Sequence, residues 1–173
     1  MPDYHSPTIV QPAIPLSDAS PFELFLLGAM FEAGSEDETS RDFATEYGVD
    51  QWPSVSADDL RKAMADSAEF ESQVMPSVAA MLAGLVGFDE SGHVVLDLCI
   101  GFEDPVHLLL LQDIVRRSVS VQWFTCVTAY TCSKPMADGF GGRAALVTAD
   151  RIWNRSTDEL LEEFMSEAKL APA

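Results

Sequence analysis

The stretch SEDETSRDFATEYG, Ser35 to Gly48, decides how the first half of this chain is built. It opens on Ser35 with Glu38 three residues later. That is the pattern of a capping box, in which serine accepts an orphan backbone N–H and glutamate reaches back to the cap. The acids Glu36, Asp37 and Glu38 would then sit in a first helical turn, at the positive end of the helix dipole. Phe43 and Tyr47 are four residues apart, a thin apolar stripe, and Gly48 is a natural stop. The spacing predicts a helix over 35–48. Glu38, Asp42 and Glu46 are also four apart, so they would form a carboxylate row with about 6 Å of rise between members. A single base, Arg41, stands among them.

Before this stretch, Pro2, Pro7, Pro12 and Pro15 deny helix and predict an extended arm over residues 1–19. SPFE at Ser20–Glu23 is a capping box with proline in the first helical position. A helix is expected from Pro21 to about Ala33, burying Phe22, Leu26, Ala29 and Met30, with Gly34 as its stop. After it, SADD at Ser56–Asp59 starts a third helix, with Leu60, Ala63, Met64, Ala68 and Phe70 as apolar positions and Asp58–Lys62 as an i,i+4 pair. Pro76 interrupts the pattern before SVAAMLAGLVGF resumes it as far as Gly87, as two helices or one kinked one. DESG at Asp89–Gly92 is a turn, and HVVLDLCIGF reads as a strand ending near Phe102. EDPVHLLLLQDIVRR favours helix through Asp104, Pro105 and its leucines, with a strand from His107 as the alternative.

SVSVQWFTCVTAYTCS is the strongest strand signal. It places Val121, Trp123, Thr125, Val127, Ala129 and Thr131 on one face, and Phe124, Cys126, Thr128, Tyr130 and Cys132 on the other. KPMADGFGG is a glycine-rich loop, and RAALVTADRIW returns as an antiparallel partner. STDE at Ser156–Glu159 caps a last helix with Leu160, Leu161, Phe164 and Ala168 on its apolar side. The expected architecture is α+β: a helical, acidic part over 20–88, then a small antiparallel sheet and a C-terminal helix over 89–173, all one domain behind the arm.

The charge bounds the function. With 173 residues, 47% of them hydrophobic, the chain can bury a core, yet its net charge is −18. Residues 1–92 hold 17 acids and 3 bases, a net of −14; residues 93–173 hold 11 and 7, a net of −4. Such a body repels nucleic acid and anionic membranes, and favours a basic partner or plain solubility. Cys99, Cys126 and Cys132 show no disulfide spacing, and no apolar run is long enough to span a bilayer, so a cytoplasmic protein with reduced thiols is expected.

No chemistry-bearing motif stands out, and no cofactor is expected. The cysteines with His93 or His107 match no zinc spacing, and Cys126 and Cys132 would lie about 20 Å apart along one strand. A nucleophilic cysteine would need a base such as His107, with Cys132 beside the loop as the better-placed thiol. The Gly139–Gly142 loop with Lys134 and Arg143 lacks the strand–loop–helix order of a nucleotide loop. No DxDxDG calcium loop is present. The three tryptophans have no interleaved bases for stacking on single strands. No catalytic or metal residue is therefore assigned.

The segment FTCVTAYTCSKPMADGFGGRAALVTADRI, Phe124 to Ile152, resembles one found in uncharacterised accessory proteins of plasmids, phages and integrated bacterial elements: an aromatic–Thr strand, TCSKP, FGG, then an apolar strand with TAD. It covers about a sixth of the chain. The resemblance implies a mobile-element setting and carries no catalytic residues. In that setting an acidic protein is expected to act as a non-enzymatic inhibitor of the anti-CRISPR or DNA-mimic type. It would occupy the basic nucleic-acid surface of a defence complex, with a CRISPR effector as the leading candidate. Glu36, Asp37, Glu38, Asp42, Glu46 and Asp50 would supply the charge. Two alternatives stay open: an adaptor or regulator using an apolar surface on the arm or the 134–142 loop, and a cysteine-dependent enzyme.

Overall fold

The computed structural model describes residues 3–84, 92–134 and 139–169. Its elements in chain order are β1 (Tyr4–His5), β2 (Thr8–Gln11), β3 (Ile14–Pro15), α1 (Pro21–Met30), β4 (Glu32–Glu36), β5 (Ser40–Thr45), β6 (Ser54–Ser56), α2 (Ala57–Ala65), α3 (Met75–Gly84), β7 (His93–Val95), α4 (Val106–Arg117), β8 (Trp123–Cys132), β9 (Gly141–Thr148), β10 (Ile152–Ser156) and α5 (Thr157–Glu167). The α+β class holds. The helices-first order does not, because three strands precede α1 and two more follow it directly.

The proline-spaced segment is extended, as its prolines require, and it lies inside the main sheet. That sheet runs β10-β9-β8-β2-β5-β3, with β1 beside β8 and β4 beside β5. Every pairing within it is antiparallel. Tyr4 pairs with Cys132 and Thr8 with Thr128, so β1 and β2 form one run along β8. After the cis Gln11–Pro12 bond the chain carries on along β5, Ile14 opposite Arg41. Thus residues 4–15 join the two long strands that the rest of the chain supplies. A separate two-stranded ladder, β6 with β7, holds the loop before α2; the strand expected to reach Phe102 is therefore only three residues long.

The second correction is the helix expected over 35–48. The segment is a β-hairpin: β4, a turn over 37–39, then β5. The reason is local. From Ser40 to Thr45 the apolar period is two, with Phe43 and Thr45 buried and Asp42 exposed, while Tyr47, the helix partner of Phe43, is 66% exposed. The acid that resembled an N-terminal turn residue does a turn's work. Asp37 Oδ1 accepts the Thr39 and Ser40 N–H groups at 2.7 and 2.6 Å, and Asp37 N–H donates to Ser40 O. Asx turns and helix caps use the same carboxylate-to-amide bonds, so the two signals coincide in sequence.

Elsewhere the caps hold. Ser20 and Glu23 form the capping box of α1, and Ser156 and Glu159 that of α5; Ser56 caps α2 through Asp59 N–H. Helix α1 stops at Met30, short of Gly34, because Glu32 enters β4. Helix α2 ends at Ala65, leaving Ala68 and Phe70 exposed, and Asp58 pairs with Arg61 at 2.8 Å. Asp104 is not a cap: Pro105 occupies that position of α4 without a side-chain bond. The turn at Asp89–Gly92 and the end of the helix toward Gly87 fall largely outside the described residues, as do residues 135–138 of the glycine-rich loop. The core lies between one sheet face (Val10, Ile14, Phe43, Phe124, Cys126, Ala145, Val147) and the layer of α1 and α4. Helix α4 packs on β8 and β9, α1 on α4, and α2 on α1. The α5 side expected to be apolar is not buried: Leu161 and Phe164 are more than half exposed.

Candidate functional site

The six acids singled out from the sequence do not form a helical row. Glu36 ends β4 in register with Arg41. Asp37 is committed to its turn: bonds from the Thr39 amide, the Thr39 hydroxyl, and the Ser40 amide and hydroxyl pull its carboxyl down to about 2. Glu38 is exposed in the same turn. Asp42 is exposed on β5, and Glu46 is exposed in the bend that follows the end of β5 at Thr45. Glu46 lies 3.7 Å from His5 Nδ1, and Asp50 accepts the Trp52 N–H at 2.8 Å. The structure thus sets Asp42 on β5, Glu46 in the bend just past it, Glu38 in the hairpin turn and Asp50 in the following loop.

A cleft of about 440 Å³ opens under the opposite, covered face of the sheet. The inward residues of β2, β8, β9 and β10 line it, with the loop before α4 and the first turn of α4. Thr8 and Thr128 share a hydroxyl bond of 2.9 Å at its floor. Cys126 and His107 both line it, so the thiol and base considered from the sequence do share a site. Their environments favour the neutral thiol and the neutral imidazole. Burial pushes the Cys126 thiol up to about 12 and the His107 imidazole down to about 4. Cys132 is buried in β8, where it pairs with Tyr4, and Cys99 is the exposed thiol. Gly139–Gly142 leads into β9, and Gly142 packs against the Thr128 carbonyl rather than opening a cradle.

Sequence reading missed the sheet's other face. Trp123, Val127, Ile9, Leu146 and Trp153 stand out from it, each between 38 and 49% exposed. Its signal was present in the alternation of β8, where Trp123 and Val127 fall on one side. What could not be read was which side the helices cover. Among the described residues no group of three or more His, Cys, Asp or Glu side chains could hold a metal, and no helix is long and apolar enough to cross a membrane. Fold and surface define an α+β protein whose antiparallel sheet is covered by helices on one face and, among the described residues, open on the other. Comparison with protein-family models, with curated proteins and with solved structures gave no match.

Proposed function

We propose that this chain is a non-enzymatic, acidic inhibitor that binds the basic nucleic-acid surface of a bacterial defence complex, with a CRISPR effector as the leading candidate. The observation that carries this reading is the flank of β5. There Asp42 on β5, Glu46 in the bend just past it and Glu38 in the hairpin turn are all exposed, on a chain whose net charge is −18. Arginine and lysine built for phosphate would meet carboxylates there, and long-range attraction would raise the association rate. Asp37 contributes shape more than contact, since its oxygens are already engaged.

The test is capture of a purified nucleic-acid-binding defence complex by wild-type bait and by a bait carrying Glu38→Gln, Asp42→Asn and Glu46→Gln. The expected result is retention by wild type at low salt, release at high salt and no retention by the neutralised bait. Equal retention by both baits would discard the proposal. Deleting residues 1–19, an obvious way to probe an arm, cannot serve: it removes β1, β2 and β3, and with them the junction of β8 and β5.

A further inference from the structure

The cleft between the sheet and the loop before α4 holds polar groups that neither the fold nor the acidic surface uses. Two rows of the covered sheet face form its floor. Cys126, Ala145 and Asn154 stand side by side on β8, β9 and β10, and Thr8, Thr128 and Arg143 make the next row on β2, β8 and β9. The loop before α4 brings Phe102, Glu103 and Asp104 to the same space, and His107 reaches it from the first turn of α4. A hydroxyl has one proton to give. That of Thr8 goes to the Ser6 carbonyl at 3.0 Å, so Thr128 donates the 2.9 Å bond between the two threonines and has only lone pairs left to offer. Asn154 Oδ1 is buried with no hydrogen-bond partner among the described residues, and so is His107 Nδ1. Buried polar atoms are normally paired. Burial holds the His107 imidazole down at about 4, so at neutral pH it adds no charge.

The charges of the cleft lie toward opposite ends. Arg143 stands one row to one side of Asn154. On the other side, Glu103 and Asp104 line a neighbouring hollow together with Ile152, two positions before Asn154 on β10. Successive residues on one face of a strand are about 7 Å apart. Arg143 enters no ion pair among the described residues, and its charge is felt only at a distance by Glu159 of α5. We propose that the cleft binds a small zwitterion with an apolar body, of the size of an amino acid or a dipeptide. Its carboxylate meets Arg143, its ammonium meets Glu103 and Asp104, and an N–H of the ligand answers Asn154 Oδ1. Its body lies on Phe102, Leu108 and Ala145. The volume of about 440 Å³ accommodates either size. A simple anion would be repelled by the net charge of −18, and a simple cation would leave Arg143 unmatched; a ligand carrying both charges satisfies both ends. None of Glu38, Asp42 and Glu46 lines the cleft, so the proposal does not rest on the acidic-partner reading.

Isothermal titration calorimetry of the full chain with L-leucine and with L-leucyl-L-leucine tests it, each beside its N-acetyl form and its C-terminal amide. At least one zwitterion is expected to bind, and the tighter of the two names a free amino acid or a peptide as the ligand. Both blocked forms should bind about tenfold more weakly, the scale of one lost charged contact. In Arg143→Gln the amide should bind as well as the free acid, while the N-acetyl penalty stays. In Glu103→Gln combined with Asp104→Asn the N-acetyl penalty should vanish and the amide penalty stay. A folding defect would lower all affinities together and would not move these ratios selectively. Failure of both zwitterions to bind at millimolar concentration, blocked forms that bind equally well, or ratios unchanged by the variants would overturn the proposal. The capture experiment reads a different surface, so either proposal can fall alone.

Discussion

Replacing Arg117 by methionine probes how the helical layer is tied together. Glu23 closes the capping box of α1, accepting the Ser20 N–H at 2.7 Å, and the same carboxylate oxygen receives Arg117 Nη2 from the last turn of α4. The Glu23 side chain is fully buried and that of Arg117 about a quarter exposed. At direct contact and an effective dielectric of about 20, the attraction is about 5 kcal/mol. The partial exposure of Arg117 lowers this to ~3 kcal/mol, the scale on which breaking a buried pair destabilises proteins. Methionine keeps an apolar stem beside Phe70, over which the guanidinium sits at 5.3 Å. Burial holds the Glu23 carboxyl above its ordinary 4.5, with Arg117 and the cap bonds pulling it down. A carboxyl raised in the folded state carries no penalty below 4.5, where both states are protonated. The penalty grows as pH rises through the window up to the folded value and is constant above it. Removing Arg117 widens that window. Arg117→Met should therefore lose ~3 kcal/mol at about pH 7, or roughly 1.5 M of urea midpoint at an m near 2 kcal/mol/M. The deficit should shrink as pH approaches 4.5, and Glu23→Gln in the same background should recover most of it. A variant within about 1 kcal/mol of wild type at neutral pH, or a deficit independent of pH, would refute the reasoning.

Other outcomes follow from single sites. Gly142→Ala should destabilise by about 1–3 kcal/mol in urea unfolding, because a Cβ there meets the Thr128 carbonyl at 2.9 Å; Gly28→Ala on α1, with nothing within 4 Å, should stabilise by ~0.5–1 kcal/mol. The Asp37 carboxyl should titrate near 2 by NMR. Its support of the hairpin is complete above its ordinary 3.8 and lost as pH falls through about 2, so protection of the Thr39 and Ser40 amides from exchange should vanish in that range, and at every pH in Asp37→Ala. Iodoacetamide should label Cys99 in the folded protein and reach Cys126 and Cys132 only on unfolding, as mass mapping would show.

The local signals were legible because they act over three or four residues. Serine at 20, 56 and 156 with an acid three positions on starts a helix, and those caps are made by neighbours in the chain. The alternation of residues 123–132 named a strand and its two faces, and the prolines up to Pro15 kept that segment extended. Residues 35–48 show where such signals stop. An acid with a serine or threonine two or three residues away serves a helix cap and a hairpin turn equally, and a single phenylalanine cannot set a period. Tertiary structure broke the tie: β5 finds β2 and β3 on one side and β4 on the other, partners no local pattern announces. It also decided which face of β8 the helices cover, leaving Trp123 and Val127 outward and Phe124 and Cys126 inward. It brought His107 and Cys126 into one cleft and buried both. Charge and alternation are properties of the chain itself, whereas burial is conferred by segments remote in sequence. That is why the acids could be listed from the sequence alone, and why their arrangement could not.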